Sequence, residues 1–260
     1  MKGTIWLALA VLMAGCGRDE PEVKVPQAEP DRTPPRTEAE APAPPPAPAV
    51  PVLTSANCAE VLTAYAAEHT ERHVVIDTRL GQITLELFDD VPIHRANFLY
   101  KVKSGYFDAT EWVRLVPEFI VQGGNSEEPL PQQLRALLGK HTLPAEFRPH
   151  HVHHRGALAM SRSYENNPKK RSASYDFYIV VGRKITPREL FQLEQEGTVY
   201  TDEQKRIYRE IGGTPHLDGE HTVFGQVVDG MDVVEALSKQ PTDNVNWPLE
   251  RVGIKMEAKP

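Results

Sequence analysis

The chain has 260 residues, a formal net charge of −7 and 40% hydrophobic residues, which suffices for one large folded domain. The 54–260 segment carries a net charge of −5, so it lacks the positive surface that nucleic-acid binding requires, and we expect no nucleic-acid partner. Two cysteines exclude a disulfide framework, and no stretch reaches the ~18 apolar residues of a membrane-spanning helix.

The first 16 residues have the features of an export signal. Lys2 is followed by a short apolar run and then by small residues before Cys16. The ending Met13–Cys16 resembles the bacterial lipobox, which implies a signal peptide over 1–15, lipidation at Cys16 and a lipid anchor in the bacterial cell envelope. Gly17 after the cysteine favours the periplasmic face of the outer membrane. A plain secretory peptide with an incidental cysteine is the alternative.

A proline-rich tract follows the signal. Of the 23 prolines in the chain, 11 fall between Pro21 and Pro51. Proline favours the polyproline II conformation, and this stretch has almost no large apolar side chains to bury. Residues 16–53 are therefore predicted to form an acylated cysteine and a disordered Pro/Ala-rich tether, which could span about 100 Å when extended. A PxxP docking ligand is the alternative to a simple spacer.

The next segment, 54–72, is predicted to be a helical extension of the folded domain. Ser55 and Asn57 are candidate N-caps, and Cys58, Leu62 and Tyr65 recur at helical spacing on one face. We expect Cys58 to be a buried, unpaired thiol, because no neighbouring residue would activate it.

Short strand patterns dominate residues 73–260. The runs at 74–78 and 83–88 flank a turn and predict a hairpin. One helix is predicted from Pro92 to about Gly105, and a second covers 233–238. Further strands are predicted at 112–115, 119–122, 157–161, 177–181, 222–227 and 252–257. This pattern predicts a mainly β protein, an antiparallel barrel capped by helices, with long loops at 126–148 and at 183–213, where helices are expected.

Four blocks of residues 73–260 resemble the cyclophilins. The segment 112–125, WVRLVPEFIVQGGN, resembles the family pattern of aromatic-His-Arg, a hydrophobic pair, Pro-x-Phe-x-x-Gln-Gly-Gly-Asp. Segments 92–98, 156–162 and 221–234 resemble three further family blocks in the same order. The resemblance implies a cyclophilin-like eight-stranded antiparallel β-barrel capped by two helices. It also implies peptidyl-prolyl cis–trans isomerase activity on proline-containing polypeptides.

This reaction makes modest chemical demands. Rotation about an X–Pro amide is opposed by a barrier of ~18–20 kcal/mol, because resonance draws the nitrogen lone pair into the carbonyl. A hydrogen-bond donor at the prolyl nitrogen and a dry pocket for the ring would lower that barrier without a nucleophile. We therefore expect no cofactor and no metal in the reaction, and a monomeric chain.

The resemblance also assigns site residues. Arg114 matches the family arginine that donates to the prolyl nitrogen, and its charged fork of N–H groups suits that task. Gln122 matches the glutamine that orients this arginine and the substrate backbone. The predicted substrate-binding residues are Phe119, Ile120, Ser161, Asp176, Tyr178, His216, Leu217 and His221.

Several positions depart from the family pattern. Val113 and Asn125 replace a histidine and an aspartate, and Tyr178 adds a hydroxyl where phenylalanine is usual. Asp176 replaces a backbone-binding glutamine, and we expect its carboxylate to pair with Arg114 and compete for its N–H groups. A catalytically weak cyclophilin-like chaperone or envelope scaffold is therefore the alternative function. A surface adhesin is a third.

Half of the ten histidines lie between His141 and His154. Imidazole binds zinc, nickel and copper, but adjacent strand residues point to opposite faces, and no cysteine or acidic cluster completes a site. The pattern therefore predicts no metal site from His141, His150, His151, His153 and His154.

Overall fold

The computed structural model describes residues 50–260. The predicted signal peptide, Cys16 and the tether up to residue 49 lie outside the described residues. Within residues 50–260, each helix is too short or too polar to cross a bilayer.

The N-terminal extension forms the predicted helix, α1 (Cys58–Glu68). Asn57 occupies the N-cap position, but its Oδ1 accepts a 2.7 Å hydrogen bond from the Thr54 amide instead of capping the helix. The apolar face of α1 packs against the next helix, α2 (Pro92–Lys103). Cys58 is fully buried and unpaired among the described residues, as predicted.

Eight antiparallel strands form the main sheet. They are β1 (His73–Thr78), β2 (Gly81–Leu87), β3 (Glu111–Val116), β4 (Ile120–Asn125), β6 (Ala157–Met160), β8 (Phe177–Val180), β9 (Val223–Asp229) and β10 (Lys255–Lys259). Their order is β10-β1-β2-β9-β6-β8-β4-β3. A separate two-stranded sheet pairs β5 (Thr142–Leu143) with β7 (Ser172–Ala173).

The two edges of the curled main sheet meet just before β10. Glu111 of β3 forms a bridge with Gly253, and the Trp112 amide donates to the Val252 carbonyl at 3.0 Å. These contacts use residues 252–254, and β10 consequently begins at Lys255 rather than at the predicted residue 252. The predicted eight-stranded cyclophilin-like architecture is confirmed.

Helices α2 and α6 (Met231–Ser238) pack against the sheet, as predicted. The 183–213 loop contains α4 (Pro187–Gln195) and α5 (Asp202–Glu210), each begun by a threonine capping box. The 126–148 loop contains α3 (Pro129–Leu138), which the sequence analysis did not predict. A short 3₁₀ turn over Pro215–Leu217 follows the second loop.

Side chains alternate across the sheet and divide the apolar residues into separate clusters. In β2, Ile83, Leu85 and Leu87 face the main core, as their spacing predicts. A second cluster lies apart from that core and contains Ile120, Ala157, Ala159, Tyr178, Val180, Leu217 and Val223. This second cluster supports the candidate site.

Candidate active site

A row of side chains crosses four neighbouring strands. Arg114 on β3 pairs in register with Gln122 on β4, which pairs with Tyr178 on β8, which pairs with Ala159 on β6. Residues directly opposite in antiparallel strands project from the same face, about 4.5–5.5 Å apart. The strand ladder itself therefore holds the polar pair Arg114 and Gln122 beside the apolar cluster.

A cavity of about 360 Å³ opens over this row. It is lined by Arg114, Phe119, Ile120, Gln122, Ser161, Arg162, Tyr164, Tyr178, His216, Leu217 and His221. Every predicted catalytic and substrate-binding residue except Asp176 is among them. Arg162 and Tyr164 are additions that the sequence analysis missed. Tyr164 is 64% exposed and lies at the rim.

Two loop segments complete the walls of the cavity. The turn between β3 and β4 carries Phe119, whose amide donates to the Val116 carbonyl at 3.1 Å. The 3₁₀ turn carries His216 and Leu217, and the ring of His216 stacks on Phe119 with 5.6 Å between centroids. Leu217 is buried in the second apolar cluster, and this gives the cavity an apolar floor for a small ring.

Arg114 lies between the polar and apolar sides of this cavity. Its guanidinium carbon is 5.8 Å from the centroid of the Phe119 ring. Within residues 50–260, no carboxylate lies within ion-pair distance of Arg114, and neither Arg114 nor Gln122 uses its side chain in a hydrogen bond. The N–H groups of both side chains are therefore available to a ligand in the cavity.

The expected pairing of Asp176 with Arg114 is wrong. Oδ1 of Asp176 lies 3.5 Å from Nη2 of Arg135, and the Arg135 guanidinium also stacks over the Tyr175 ring at 4.8 Å. Arg135 belongs to α3, the helix that the sequence analysis did not predict. Burial raises the pKa of Asp176, and the Arg135 charge opposes that shift. Asp176 is thus bound away from Arg114.

The hydroxyl of Tyr178 has a dedicated buried partner. It lies 3.0 Å from Nε2 of His153, whose Nδ1 is 2.8 Å from Oδ1 of Asp218. A carboxylate only accepts hydrogen bonds, so Nδ1 donates to Asp218, and Nε2 shares the second hydrogen bond of the ring with the Tyr178 hydroxyl. The Tyr208 hydroxyl of α5 donates to the same carboxylate. In the sequence, Tyr178 itself indicates this network, because a buried hydroxyl requires a hydrogen-bond partner.

His221 forms another part of the wall. Its Nδ1 is 3.2 Å from the Met160 carbonyl, and its Nε2 is 2.9 Å from the Tyr164 hydroxyl. Burial lowers the pKa of His221 to about 4, so the ring is neutral at pH 7. It then donates to Met160 and accepts from Tyr164, which connects the rim to β6.

A second cavity of about 390 Å³ adjoins the first and shares Phe119 and His216 with it. Its outer wall comes from the 183–213 loop. The cavity is lined by three glutamates, Glu118 of the β3–β4 turn and Glu189 and Glu196 of this loop, and by one cation, Arg183, which pairs with Glu189.

The histidine-rich segment is divided among four locations, and His154 forms a bridge with Gly213 away from the other rings. His141 is buried next to Asn97, and His153 lies behind Tyr178. The rings of His150 and His151 both contact the carboxylate of Asp90. The expectation that adjacent imidazoles diverge is wrong here, because residues 149 and 150 form a turn rather than a strand. The acidic partner comes from a distant part of the chain.

Comparisons with known proteins agree with this geometry. The family model described as "Cyclophilin type peptidyl-prolyl cis-trans isomerase/CLD" matches residues 73–258. A putative peptidyl-prolyl cis-trans isomerase of Staphylococcus aureus is 31% identical over 188 residues, which cover 71% of this chain and 90% of the relative.

Two further similarities are narrower. A putative bifunctional phosphatase/peptidyl-prolyl cis-trans isomerase of Streptococcus pyogenes is 36% identical over 192 residues, 72% of this chain. The match spans only 38% of that relative's length. The fold resembles a crystal structure of a Cryptosporidium parvum cyclophilin-type isomerase in the presence of the dipeptide Ala-Pro. That likeness has a TM-score of 0.51 at 23% identity, and it covers 72% of this chain and 99% of the other.

The family match, the sequence relatives and the eight-stranded sheet with its arginine-lined cavity lead to one conclusion: the chain belongs to the cyclophilin-type peptidyl-prolyl cis–trans isomerases, the enzymes of class EC 5.2.1.8.

Proposed function

We propose that this chain isomerises peptidyl-prolyl bonds in proteins outside the cytoplasm, and that Arg114 stabilises the twisted amide. One observation carries the assignment of Arg114. Within the described residues, its guanidinium has no competing carboxylate and lies beside an apolar cavity lined by Phe119, Ile120 and Leu217.

The reaction follows from how the amide changes as it rotates. Twisting breaks the resonance, so the prolyl nitrogen regains its lone pair and becomes a hydrogen-bond acceptor. A guanidinium N–H aimed at that nitrogen binds the twisted amide more strongly than the planar one, which is the requirement for catalysis. Phe119 and Leu217 hold the pyrrolidine ring while the preceding carbonyl rotates.

Gln122 supports the same geometry from the neighbouring strand. It lies in register with Arg114, and its amide can both donate to and accept from an extended peptide backbone. We assign Gln122 to substrate orientation, together with Ser161 and His221, which line the same cavity.

The test is a protease-coupled isomerisation assay on the full chain with a proline-containing peptide. Loss of one preorganised donor typically lowers a rate by about 10²–10³-fold, and we expect this from Arg114→Ala. Arg79→Ala, at an exposed turn, is the matched control and keeps full activity. An unmodified chain that accelerates exchange no more than buffer does would support the scaffold alternative. Full activity in Arg114→Ala would instead reject the role of Arg114.

We further propose that acylation of Cys16 anchors the chain in the cell envelope, facing the periplasm from the outer membrane. The lipobox-like Met13–Cys16 and the proline-rich tract support this location. Fractionation tests it: Cys16→Ser moves the protein from the membrane to the soluble fraction. Retention of this variant in the membrane fraction would refute the anchor without affecting the assigned activity.

A further inference from the structure

We propose that Asp90, His150 and His151 form a binding site for a divalent transition-metal ion of the zinc class. Asp90 lies in the connection between β2 and α2, whereas His150 and His151 lie in the connection between β5 and β6. None of them lines the isomerase cavity.

The ligating atoms are already close together. Nε2 of His150 is 3.0 Å from Oδ2 of Asp90, and Nε2 of His151 is 2.7 Å from Oδ1. The three potential ligand atoms, one from each side chain, lie within 4.8 Å of one another. Both imidazoles therefore present the same nitrogen, Nε2, to one carboxylate.

This spacing is near that of a metal-bound set. Bonds of about 2.0–2.2 Å in a tetrahedral zinc site place ligand atoms about 3.3–3.6 Å apart. Binding of an ion thus requires the distances between these ligand atoms to change by about 1.5 Å at most. His150 can supply that movement, because its side chain is 66% exposed.

The other two ligands are held in place. The ring of His151 stacks on Phe88, with 4.0 Å between centroids and 14° between planes, and its side chain is only 14% exposed. The His151 amide also donates to the Arg148 carbonyl at 3.0 Å. The backbone of Asp90 is fixed by Arg148, whose Nε donates to the Asp90 carbonyl at 2.8 Å. Two of the three ligands are therefore already oriented, and His150 moves to complete the site.

The donor set selects the class of ion. Two imidazole nitrogens and one carboxylate oxygen suit Zn²⁺, Ni²⁺ and Cu²⁺, whereas Mg²⁺ and Ca²⁺ prefer oxygen ligands. Three protein ligands leave one tetrahedral position for water. The Arg148 guanidinium lies 3.8 Å from Oδ2 of Asp90, and its charge opposes binding, which limits the affinity.

The test is isothermal titration calorimetry with ZnCl₂ on the full chain, prepared without a histidine tag. Cys16→Ser serves as the background chain, because a free thiolate at Cys16 would also bind Zn²⁺. We expect one Zn²⁺ per chain, no binding of Mg²⁺, and a rise in the melting temperature with Zn²⁺. His150→Ala and Asp90→Asn should each weaken Zn²⁺ binding by about tenfold or more.

His73→Gln, on β1, is the matched control and should bind Zn²⁺ like the background chain. Circular dichroism checks that each variant folds. His150→Ala is expected to fold, because the His150 side chain is exposed. The proposal is overturned if the background chain binds no Zn²⁺ at about 1 mM, or if His150→Ala and Asp90→Asn both bind as the background does. Isomerase activity of the variants is expected to be unchanged.

Discussion

Nδ1 of His153 lies 2.8 Å from Oδ1 of Asp218, and this contact orients the imidazole that binds the Tyr178 hydroxyl. The His153 amide donates to the same carboxylate oxygen at 2.8 Å. Asp218 follows the 3₁₀ turn that carries His216 and Leu217. One carboxylate therefore connects the wall of the proline pocket to the loop that completes it.

Replacement of Asp218 by asparagine tests this connection. The amide accepts only through its one oxygen, so either His153 or the Tyr208 hydroxyl loses its acceptor. Such a loss typically costs about 1–3 kcal/mol of unfolding free energy. We expect lower stability in urea and an increase in KM that exceeds the decrease in kcat, because Asp218 positions the pocket and does not touch the substrate.

Tyr178→Phe is the companion variant. It keeps the ring in the pocket but removes the hydroxyl, so we expect a smaller loss of stability and near-normal KM. Equal unfolding midpoints for Asp218→Asn and the unmodified chain would contradict the positioning role of Asp218.

The neutral state of buried His221 predicts acid lability. Its pKa is about 4 in the folded chain, against 6.5 for the unperturbed group. Between these values the unfolded chain binds a proton that the folded chain does not, so stability decreases as the pH falls from about 6.5 to 4. Burial is the main cause of the lowered pKa, the hydrogen bond to the Met160 carbonyl and the Glu220 charge oppose it, and nearby His153 and Arg162 act with it.

Urea unfolding at several pH values between 4 and 7 measures this effect. We expect His221→Gln to show a shallower loss of stability with decreasing pH than the unmodified chain. His73→Gln, away from the pocket, is the control and keeps the original slope. An identical slope in His221→Gln would show that other groups carry the acid sensitivity.

Gly213 permits a close backbone approach at the base of the 183–213 loop. Its φ is +154°, and a Cβ there would lie 2.2 Å from the His153 carbonyl oxygen. We expect Gly213→Ala to lower the unfolding free energy by about 1–3 kcal/mol and to raise KM, because His216 and Leu217 follow directly. Gly253→Ala is the control, since nothing lies within 4 Å of its added Cβ. Normal stability and KM in Gly213→Ala would contradict this account.

The second cavity predicts a charge preference next to the proline. Glu118 and Glu196 line it, while Arg183 forms an ion pair with Glu189. We expect peptides with lysine near the proline to have several-fold higher kcat/KM than matched glutamate peptides, and the difference to shrink at high salt. Glu118→Gln combined with Glu196→Gln should reduce the preference. Glu257→Gln on β10 should not, and equal rates for both peptides would reject this role of the cavity.

Local patterns predicted the eight strands of the main sheet but not the short β5 and β7, and the resemblance to the family motif predicted most of the pocket. Arg114, Phe119 and Gln122 lie within nine residues of each other, so their spacing along two hairpin strands determines their placement. The alternation in β2 and the proline at the start of α2 likewise depend on nearby residues. For these elements, sequence and structure agree.

Contacts between distant segments were not predictable in this way. Asp176 pairs with Arg135, 41 positions earlier, through a helix whose first turn contains two prolines. Asp90 meets His150 across 60 positions, and His153 meets Asp218 across 65. Nothing in the local spacing of these residues signals a partner, because the fold alone brings them together.

The residues of the pocket come from two kinds of element: the cross-strand row from Arg114 to Ala159, and the segments that connect the strands. The arginine and glutamine are held by the ladder of the barrel, whereas His216, Glu189 and Glu196 belong to the connection between β8 and β9. Changes in that connection alter which polypeptides fit without displacing the donor that acts on the amide. Grafting residues 183–217 together with Glu118 onto another barrel of this family would therefore transfer substrate choice while the recipient keeps its own chemistry.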